Sequence, residues 1–338
     1  MHGRRPLGRR VGVRPRRTLT TLPQIPASLG RSQILGPMLR ALGLGGLGRA
    51  WLRRAVLGDL LSRPRDITVV IGIRNRADYR IANALRSIRE QTYAAELVRV
   101  LVVDYGSEPS SQAVIMSLCG QHDVEYLRVD EAPVWSRARC LNIGIRRAST
   151  TFLMASDADI MLSRRYLADA IHTLEVSPLS VLCSSMLDLP EESVEVTKDA
   201  ARPGGQLAID RWKDWCSPRF GSPIHYSVAL TCTAFFQLIR GYDEHYEVWG
   251  SEDNDLMRRF RYLGLRPQAL DSGSFYLHQW HPKFEGVPGG EHAPVIRRNH
   301  AYFWRNHSIL RNDRDWGTAQ PREKRPERPQ PGPESRAL

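Results

Sequence analysis

One stretch of the sequence decides the fold: Thr151-Phe-Leu-Met-Ala-Ser-Asp-Ala-Asp-Ile-Met-Leu162. Its apolar first part, residues 151–155, predicts a buried strand with Asp157 and Asp159 at the C-terminal end. Ligands of open α/β sheets bind at that edge. Side chains alternate along an extended chain, so the two carboxylates point the same way. Carboxylates in this arrangement suit Mg²⁺ or Mn²⁺, although an ordinary Asp-rich turn after a strand has the same pattern.

Strands and helices alternate in the residues before this stretch. The β-branched run 67–73 predicts a strand buried on both faces, and further strands are predicted at 98–103 and 125–129. Helical patterns separate these strands, at 79–91, 112–119 and 136–148. This order predicts an α/β fold with a Rossmann-like mixed sheet, mainly parallel and flanked by helices. No G-x-G-x-x-G and no P-loop motif follows the first strand, which disfavours dinucleotide and P-loop chemistry.

The net charge of +12 lies in the N-terminal part of the chain. Residues 1–65 contain 14 Arg, no Lys and a single acid, Asp59, whereas the rest of the chain is close to neutral. This distribution argues against a domain body that binds nucleic acid. The 5 cysteines are scattered without a C-x-x-C pair, which is typical of reduced thiols in a cytosolic protein. No apolar run of about 18 residues occurs, so no membrane span is predicted.

Composition divides the chain into four parts. They are a basic, partly disordered extension (1–65), a folded domain (66–285, with halves 66–160 and 161–285), a C-terminal segment (286–310) and a charged, Pro-rich disordered tail (311–338). Within the extension, residues 35–61 could form a basic amphipathic helix that rests on anionic lipid, or a helix that packs on the domain. In the second half, residues 226–238 are predicted to form the last core strand.

Three further motifs carry a family resemblance. They are Arg74-Asn75-Arg76, Trp135-Ser-Arg-Ala-Arg-Cys-Leu-Asn-Ile-Gly144 and Trp249-Gly-Ser-Glu-Asp-Asn-Asp255. With the D-x-D triplet they resemble, in order and over residues 66–285, the GT-A-fold glycosyltransferases of the family 2 type. More narrowly, they are similar to the F-N-R-A-K-x-L-N-x-G and W-G-G-E-D-D-D motifs of the β-1,4-galactosyltransferase and chondroitin-synthase branch.

The resemblance implies a GT-A domain whose first half binds a UDP-sugar and whose second half holds the acceptor. The residues that it places on the nucleotide-sugar are Ile73, Arg74, Arg76, Asp104, Trp135, Arg137 and Asp157, with Asp104 accepting from the uracil N–H. Asp159 would be the principal ligand of Mn²⁺ or Mg²⁺, with Asp157 in its outer sphere and His278 as a further ligand. His281 stays open as an alternative to His278, and Phe275 stands where the galactosyltransferases have a ligating Met.

The last motif implies the catalytic groups. Asp253 would be the general base and Glu252 would help to hold the acceptor, beside Trp249 and Gly250. A helix is predicted at 255–263, and acids that merely cap this helix are the alternative explanation. Ser251 replaces a Gly of the family pattern, which bears on the geometry of the loop.

The resemblance implies an inverting, metal-dependent transferase of a hexose or N-acetylhexosamine. Its acceptor is expected to be a saccharide or glycolipid, and its location the cytosolic face of a bacterial-type membrane, in polysaccharide or glycolipid assembly. One alternative is a retaining transferase of the same fold. A second is a catalytically silent, membrane-docked scaffold that binds sugar. A third, nucleotidyl transfer, would call for more Gly and Lys near the first strand, and no Lys precedes Lys198.

Overall fold

The computed structural model describes residues 63–130, 134–184, 186–218, 225–270, 273–282 and 292–318. The lipid-contacting segment predicted at 35–61 lies outside them. None of the helices within the described residues is long and apolar enough to cross a bilayer.

The described residues form strands and helices in alternation. The strands are β1 (Ile67–Ile73), β2 (Val98–Tyr105), β3 (Glu125–Val129), β4 (Phe152–Asp157), β5 (Ile160–Leu162), β6 (Ser180–Leu182), β7 (Met186–Asp188), β8 (Ser217–Pro218), β9 (Ala229–Cys232), β10 (Arg266–Gln268) and β11 (Tyr276–His278). The α-helices are α1 (Tyr79–Arg89), α2 (Pro109–Gln121), α3 (Arg137–Arg147), α4 (Tyr166–Val176), α5 (Val194–Ala200), α6 (Ile209–Trp212), α7 (Thr233–Leu238), α8 (Glu252–Leu263) and α9 (Ala293–Arg305). Short 3₁₀ helices occur at Ala95–Leu97, Glu191–Ser193 and Lys213–Trp215.

The large sheet has the strand order β10-β6-β9-β4-β1-β2-β3. Pairing is parallel from β4 through β1 and β2 to β3 and between β6 and β10, whereas β9 runs antiparallel to both of its neighbours. The β-branched residues of β1 are buried at the centre of the sheet, as the sequence predicts. The predicted fold class, a mixed and mainly parallel α/β sheet flanked by helices, is confirmed.

The strand predicted at 226–238 is wrong in its second half. Only Ala229–Cys232 is extended, and the chain then enters α7. The reason is that the partner strand β4 begins at Phe152, opposite Cys232, so the ladder ends there. The helix buries Phe235 and Phe236 by another route, and Phe236 packs edge-on against Phe260 of α8 at 5.1 Å between ring centroids. Two more strands, β10 and β11, follow, so β9 is also not the last.

A smaller sheet, β5-β11-β7-β8, lies after the D-x-D triplet. In it β11 pairs antiparallel with β5 and parallel with β7. It has its own apolar cluster, which includes Met161, Trp212 and Phe275. The sheet therefore brings the residues after Asp159 next to the histidines at the end of β11.

Part of the tail predicted at 311–338 lies within the described residues. Residues up to 318 pack on the domain, and residues 319–338 lie outside the described part of the chain. Arg311 donates to the buried carboxylate of Asp255, and the side chain of Asn312 accepts from the backbone N–H of Glu244. The backbone N–H of Gly317 donates to the Glu244 carboxylate at 2.7 Å. Buried carboxylates require hydrogen-bond donors, and residues 311–317 supply some of them. These bonds hold the segment against the domain.

Gly144 in α3 sets how closely this helix approaches the sheet. A Cβ at this position would lie 2.3 Å from Cγ1 of Val70 in β1. We expect Gly144→Ala to lower the free energy of unfolding by about 1–3 kcal/mol, because the helix or the strand must move. Denaturant unfolding measures this difference.

Gly120 in α2 is the matched control, since a Cβ there meets nothing within 4 Å. We expect Gly120→Ala to be neutral, or stabilising by up to about 1 kcal/mol, because Ala favours the helix. Similar losses for the two substitutions would contradict the packing of α3 against β1.

Candidate active site

The carboxyl ends of the central strands meet at one edge of the large sheet. The register places Gly72 beside Asp157 and Ile73 beside Asp104. Residues from three strands, separated by some 85 positions in sequence, therefore lie side by side, at the edge where α/β sheets bind ligands. Ile73 itself is buried as the last residue of β1.

The loop after β1 carries Arg74 and Arg76 and is fastened to the loop after β2. Between the two arginines, Asn75 has a φ of +53°, a conformation that Asn tolerates better than most residues. Its N–H donates to Oγ of Ser107 at 2.8 Å, and its Oδ1 accepts from the N–H of Glu108 at 2.7 Å. These two bonds hold the arginines at the sheet edge.

Asp104 is fully buried, and its carboxylate is occupied by partners within the protein. One oxygen accepts from the N–H of Ser107 at 2.9 Å; the other accepts from the Tyr126 hydroxyl at 2.7 Å and from Arg128 at 3.3 Å. The sequence analysis missed Tyr126 and Arg128, which come from the neighbouring strand β3. The contact of Asp104 with a uracil stays a prediction. In the structure, the hydrogen bonds of this side chain join β2 to β3.

Asp159, His278 and His281 form a group that could hold a metal ion. One ligand atom from each lies within 4.8 Å of the others. Nε2 of His278 is 3.8 Å and Nε2 of His281 is 3.6 Å from the same carboxylate oxygen of Asp159. A carboxylate with two imidazoles can bind divalent transition-metal ions, Mn²⁺ among them. The structure thus brings both candidate histidines to Asp159, while Arg76 donates to that same oxygen.

Two residues that the sequence analysis missed orient this group. Oδ1 of Asp188 on β7 lies 3.1 Å from Nδ1 of His278, and the two residues are register partners in the small sheet. The N–H of Gln279 donates to the backbone oxygen of Asp159 at 3.0 Å. A carboxylate behind a ligating imidazole is a common support of metal sites. Only the strand pairing reveals Asp188, because nothing in its local sequence marks it.

The electrostatics of Asp159 favour its charged form. Burial acts to raise the pKa of this carboxyl, but His278, Arg76 and His281 outweigh burial and lower it. The side chain is therefore an anion at neutral pH, and an anionic oxygen is what a divalent cation binds.

Arg137, at the start of α3, joins the two halves of the site. Its guanidinium donates to Asp157 on the donor side, to Asp253 at 2.7 Å, and to the backbone oxygen of Ser227. It also lies over the ring of Tyr242, at 5.4 Å from the centroid. The side chain is almost fully buried, so its predicted contact with the nucleotide stays a prediction. Its observed partners are the first Asp of the D-x-D and the predicted base.

The loop 248–251 before α8 has an unusual backbone. Val248, Gly250 and Ser251 have φ angles of +60°, +111° and +72°, in the left-handed region that favours Gly. The Gly of the family pattern at the position of Ser251 is thus explained by backbone conformation. Because this turn ends at Ser251, α8 begins at Glu252 and not at Asp255 as predicted.

The three acids of this motif have three different environments. Glu252 accepts from the N–H of Gly250 at 2.9 Å, which fastens the loop that bears the half-exposed Trp249. Asp253 faces Arg137 and stays partly open to solvent. Asp255 is fully buried and binds Arg258, Arg259 and Arg311, so it stabilises the fold.

The pKa values of the first two acids are raised. Burial raises the pKa of Asp253 well above its ordinary value; the nearby Glu252 and Asp157 add to this, and Arg137 opposes it. Burial also raises the pKa of Glu252, against the effect of Arg137. Raised carboxyl pKa values in a cleft are characteristic of acid–base groups.

The Trp135 motif and the Trp249 motif lie against each other. The N–H of Val248 donates to the backbone oxygen of Trp135 at 2.8 Å, and the Ser136 hydroxyl donates to the backbone oxygen of Tyr246 at 2.8 Å. Trp135 packs edge-on against Tyr105 at the end of β2. The motifs that the sequence analysis singled out therefore form one site, although their individual contacts with substrates remain predictions.

The sequence profile described as "Glycosyltransferase like family 2" matches residues 68–270. The chain belongs to this family. The mixed sheet described above is the GT-A fold expected from the resemblance. The matched residues include the D-x-D and the Trp249 motif, and His278 and His281 lie just beyond their end.

Individual relatives are more distant. The chain is 27% identical over 171 residues to "Glycosyltransferase AglE" of Haloferax volcanii, which covers 50% of this chain and 51% of AglE. The structure of residues 1–349 of S. aureus TarS in complex with UDP has a TM-score of 0.47 at 16% identity, over 64% of this chain and 61% of that one. A longer TarS structure has a TM-score of 0.46 and covers 70% and 39%. The chain thus spans about half the length of the curated relative that it matches.

The bridge made by Arg137 is testable by unfolding. We expect Arg137→Ala to lower the free energy of unfolding by about 3 kcal/mol, because Asp157 and Asp253 lose their shared partner in a poorly solvated place. Arg139→Ala is the control from the same helix. The Arg139 guanidinium donates to the backbone oxygen of Glu244 at 3.2 Å and contacts the Tyr105 hydroxyl, but it forms no ion pair within the described residues, so its loss is expected to cost about 1 kcal/mol. If urea denaturation gives the same loss of unfolding free energy for both variants, the stabilising role of the Arg137 bridge is contradicted.

Proposed function

We propose that this family 2-like protein transfers a hexose or N-acetylhexosamine from a UDP-sugar to a saccharide or glycolipid acceptor, with inversion and with a divalent metal ion. The observation that carries the proposal is the link through Arg137 between the D-x-D strand and the Asp253 carboxylate. The motif resemblance to the β-1,4-galactosyltransferase and chondroitin-synthase branch supports the choice of sugar.

The donor side is built from the loop after β1 and the end of β4. Asp159, His278 and His281 would hold Mn²⁺ or Mg²⁺, and a bound cation takes up charge that develops on the departing diphosphate. Arg76, which donates to Asp159, lies at the same place and supplies a planar fork for phosphate oxygens. Arg74, in the same loop, adds a further positive charge on the donor side.

The acceptor side is built from the start of α8. Asp253 accepts the proton of the acceptor hydroxyl while that oxygen forms the new bond to the anomeric carbon and the bond to the UDP oxygen breaks. The raised pKa of Asp253 suits it to this task, because a stronger base accepts the proton more readily. Trp249 offers an aromatic face beside the two acids, and Glu252 fixes the loop.

Two alternative functions lead to different expectations. A retaining transferase of the same fold would give the opposite anomeric configuration in its product, which NMR of the product distinguishes. A catalytically silent scaffold would have no need of possible metal ligands together with a carboxylate of raised pKa, and this combination supports the transferase. The cytosolic location stays a prediction.

Release of UDP tests the proposal without knowledge of the acceptor. The donors are UDP-glucose, UDP-galactose and their N-acetylhexosamine counterparts, each with Mn²⁺ or with EDTA. We expect one donor to be turned over only with metal, and Asp159→Ala to reduce the rate by about 100-fold or more. Asp253→Asn should retain donor binding in calorimetry but reduce the rate by a factor on the order of 100, the contribution of a general base.

The control is Asp199→Ala, which removes an exposed carboxylate that pairs with Arg202 and should leave UDP release unchanged. Absence of binding by every donor, with metal present and the protein folded, would exclude the transferase and favour the scaffold.

The raised pKa of Asp253 gives the sign of the pH dependence. A base must be ionised, so the rate should rise with pH through the pKa of Asp253, and this acid limb should lie above the range of an ordinary Asp, about pH 4. A pH–rate profile of UDP release measures it. An acid limb near pH 4, or one that persists in Asp253→Asn, would show that another group is the base.

A further inference from the structure

The outer side of α9 exposes a tryptophan among arginines. Trp304 is 70% exposed, the largest exposed fraction of any tryptophan in the described residues. Arg297, Ala301 and Arg305 are exposed on the same side of the helix, three or four residues apart, with Arg298 and His300 at its margins. We call these six residues the α9 face. An exposed tryptophan among arginines is the combination that interfacial helices present to a membrane.

The charge of the α9 face is of one sign. Helix α9 contains no acidic residue. Arg298 pairs with Glu247 at 3.1 Å, whereas no ion pair of Arg297 or Arg305 is formed within the described part of the chain. Residues 1–62, with 12 Arg and one acid, and residues 319–338, with a net charge of +2, are basic as well. A partner for this face must be anionic and must accommodate an indole ring.

We propose that the α9 face docks on an anionic lipid surface, with Trp304 in the interface and the arginines on the headgroups. A helix with a basic side and an exposed Trp lies in the plane of such an interface. Indole rings prefer the level of the headgroups, and each Arg near an anionic surface adds to binding. This site lies within the described residues and differs in sequence from the segment 35–61.

The α9 face is rigidly joined to the acceptor side of the site. Nδ2 of Asn299 donates to the backbone oxygens of Glu247 and Trp249, at 2.9 and 3.0 Å. Arg258 of α8 donates to the backbone oxygen of Phe303 at 2.8 Å and lies over its ring at 3.8 Å. Docking of α9 therefore also holds the loop of Trp249 and the start of α8 on the inner side of this helix, about one helix diameter, or 10 Å, from the lipid surface.

This placement narrows the class of acceptor. Resting on the function proposed above, it identifies the acceptor as a saccharide carried on a lipid, whose headgroup end reaches Asp253 from the membrane. A free oligosaccharide would gain nothing from an acceptor loop braced on a lipid-binding helix.

Vesicle binding of the full-length protein tests the docking surface. The probes are vesicles of phosphatidylcholine with and without phosphatidylglycerol. We expect binding to the anionic vesicles, weakened about tenfold or more by Arg297→Glu with Arg305→Glu, since each reversed charge becomes repulsive. Brominated lipids should quench fluorescence in wild type, and the quenching should be largely lost in Trp304→Phe.

The controls carry the same changes elsewhere. Arg99→Glu with Arg147→Glu reverses two other exposed arginines, and Trp215→Phe replaces a tryptophan that is 51% exposed. Both should bind anionic vesicles like wild type. If the two α9 variants bind and quench like their controls, the proposal is overturned and any vesicle binding belongs to another part of the chain. UDP release without vesicles is measured separately, so failure of the proposed transferase and failure of lipid docking give different results.

Discussion

The structure of the site depends on one buried guanidinium that faces two carboxylates. Arg137 holds Asp157 at the end of the central sheet and Asp253 at the start of α8. Burial of an arginine is costly and is tolerated only when its donors are satisfied, here by the two carboxylates and a backbone oxygen. Burial raises the pKa of Asp253, Glu252 and Asp157 add to this, and Arg137 only partly opposes it, so the pKa remains raised despite this partner. The same contact therefore fixes geometry and sets basicity.

The contact of Arg137 with the two carboxylates constrains both helix α3 and the loop before α8. α3 must lie close to β1 for Arg137 to reach the sheet edge, and the absence of a side chain at Gly144 permits that approach. The loop before α8 must turn sharply to point Asp253 inward, and it does so with three residues in the left-handed region. The strain of this loop is offset by bonds from Glu252 and Asn299, so the stability of the fold maintains a conformation that the loop alone would not adopt.

Much of this could be predicted from sequence because it is local. Hydrophobic runs and caps located β1 to β4 and α1 to α3. The pattern at the end of β4 pointed to Asp157 and Asp159, and the family resemblance pointed to Glu252 and Asp253, whose roles stay predictions. What could not be predicted depends on pairing between distant segments. Asp188 reaches His278 only because β7 and β11 are neighbours, and Tyr126 and Arg128 occupy Asp104 only because β3 lies beside β2. The strand expected at 226–238 failed for the same reason: where β9 ends is determined by its partner β4, and no periodicity within β9 encodes that.

The motif Trp249–Asp255 shows how one run of acids separates into different roles. Successive residues of a helix point about 100° apart, so Glu252, Asp253 and Asp255 cannot share an environment. Asp255 points into the core, where Arg259 and Arg311 compensate its charge; Asp253 points to the sheet edge, where Arg137 meets it; Glu252 folds back on the loop. A capping explanation would treat the three acids alike, because an N-terminal dipole attracts each of them. Their partners differ instead, and only Asp253 combines a raised pKa with access to solvent and a connection to the D-x-D strand. The direction of each side chain, and not the count of acids, makes Asp253 the residue on which a transfer reaction at this site would depend.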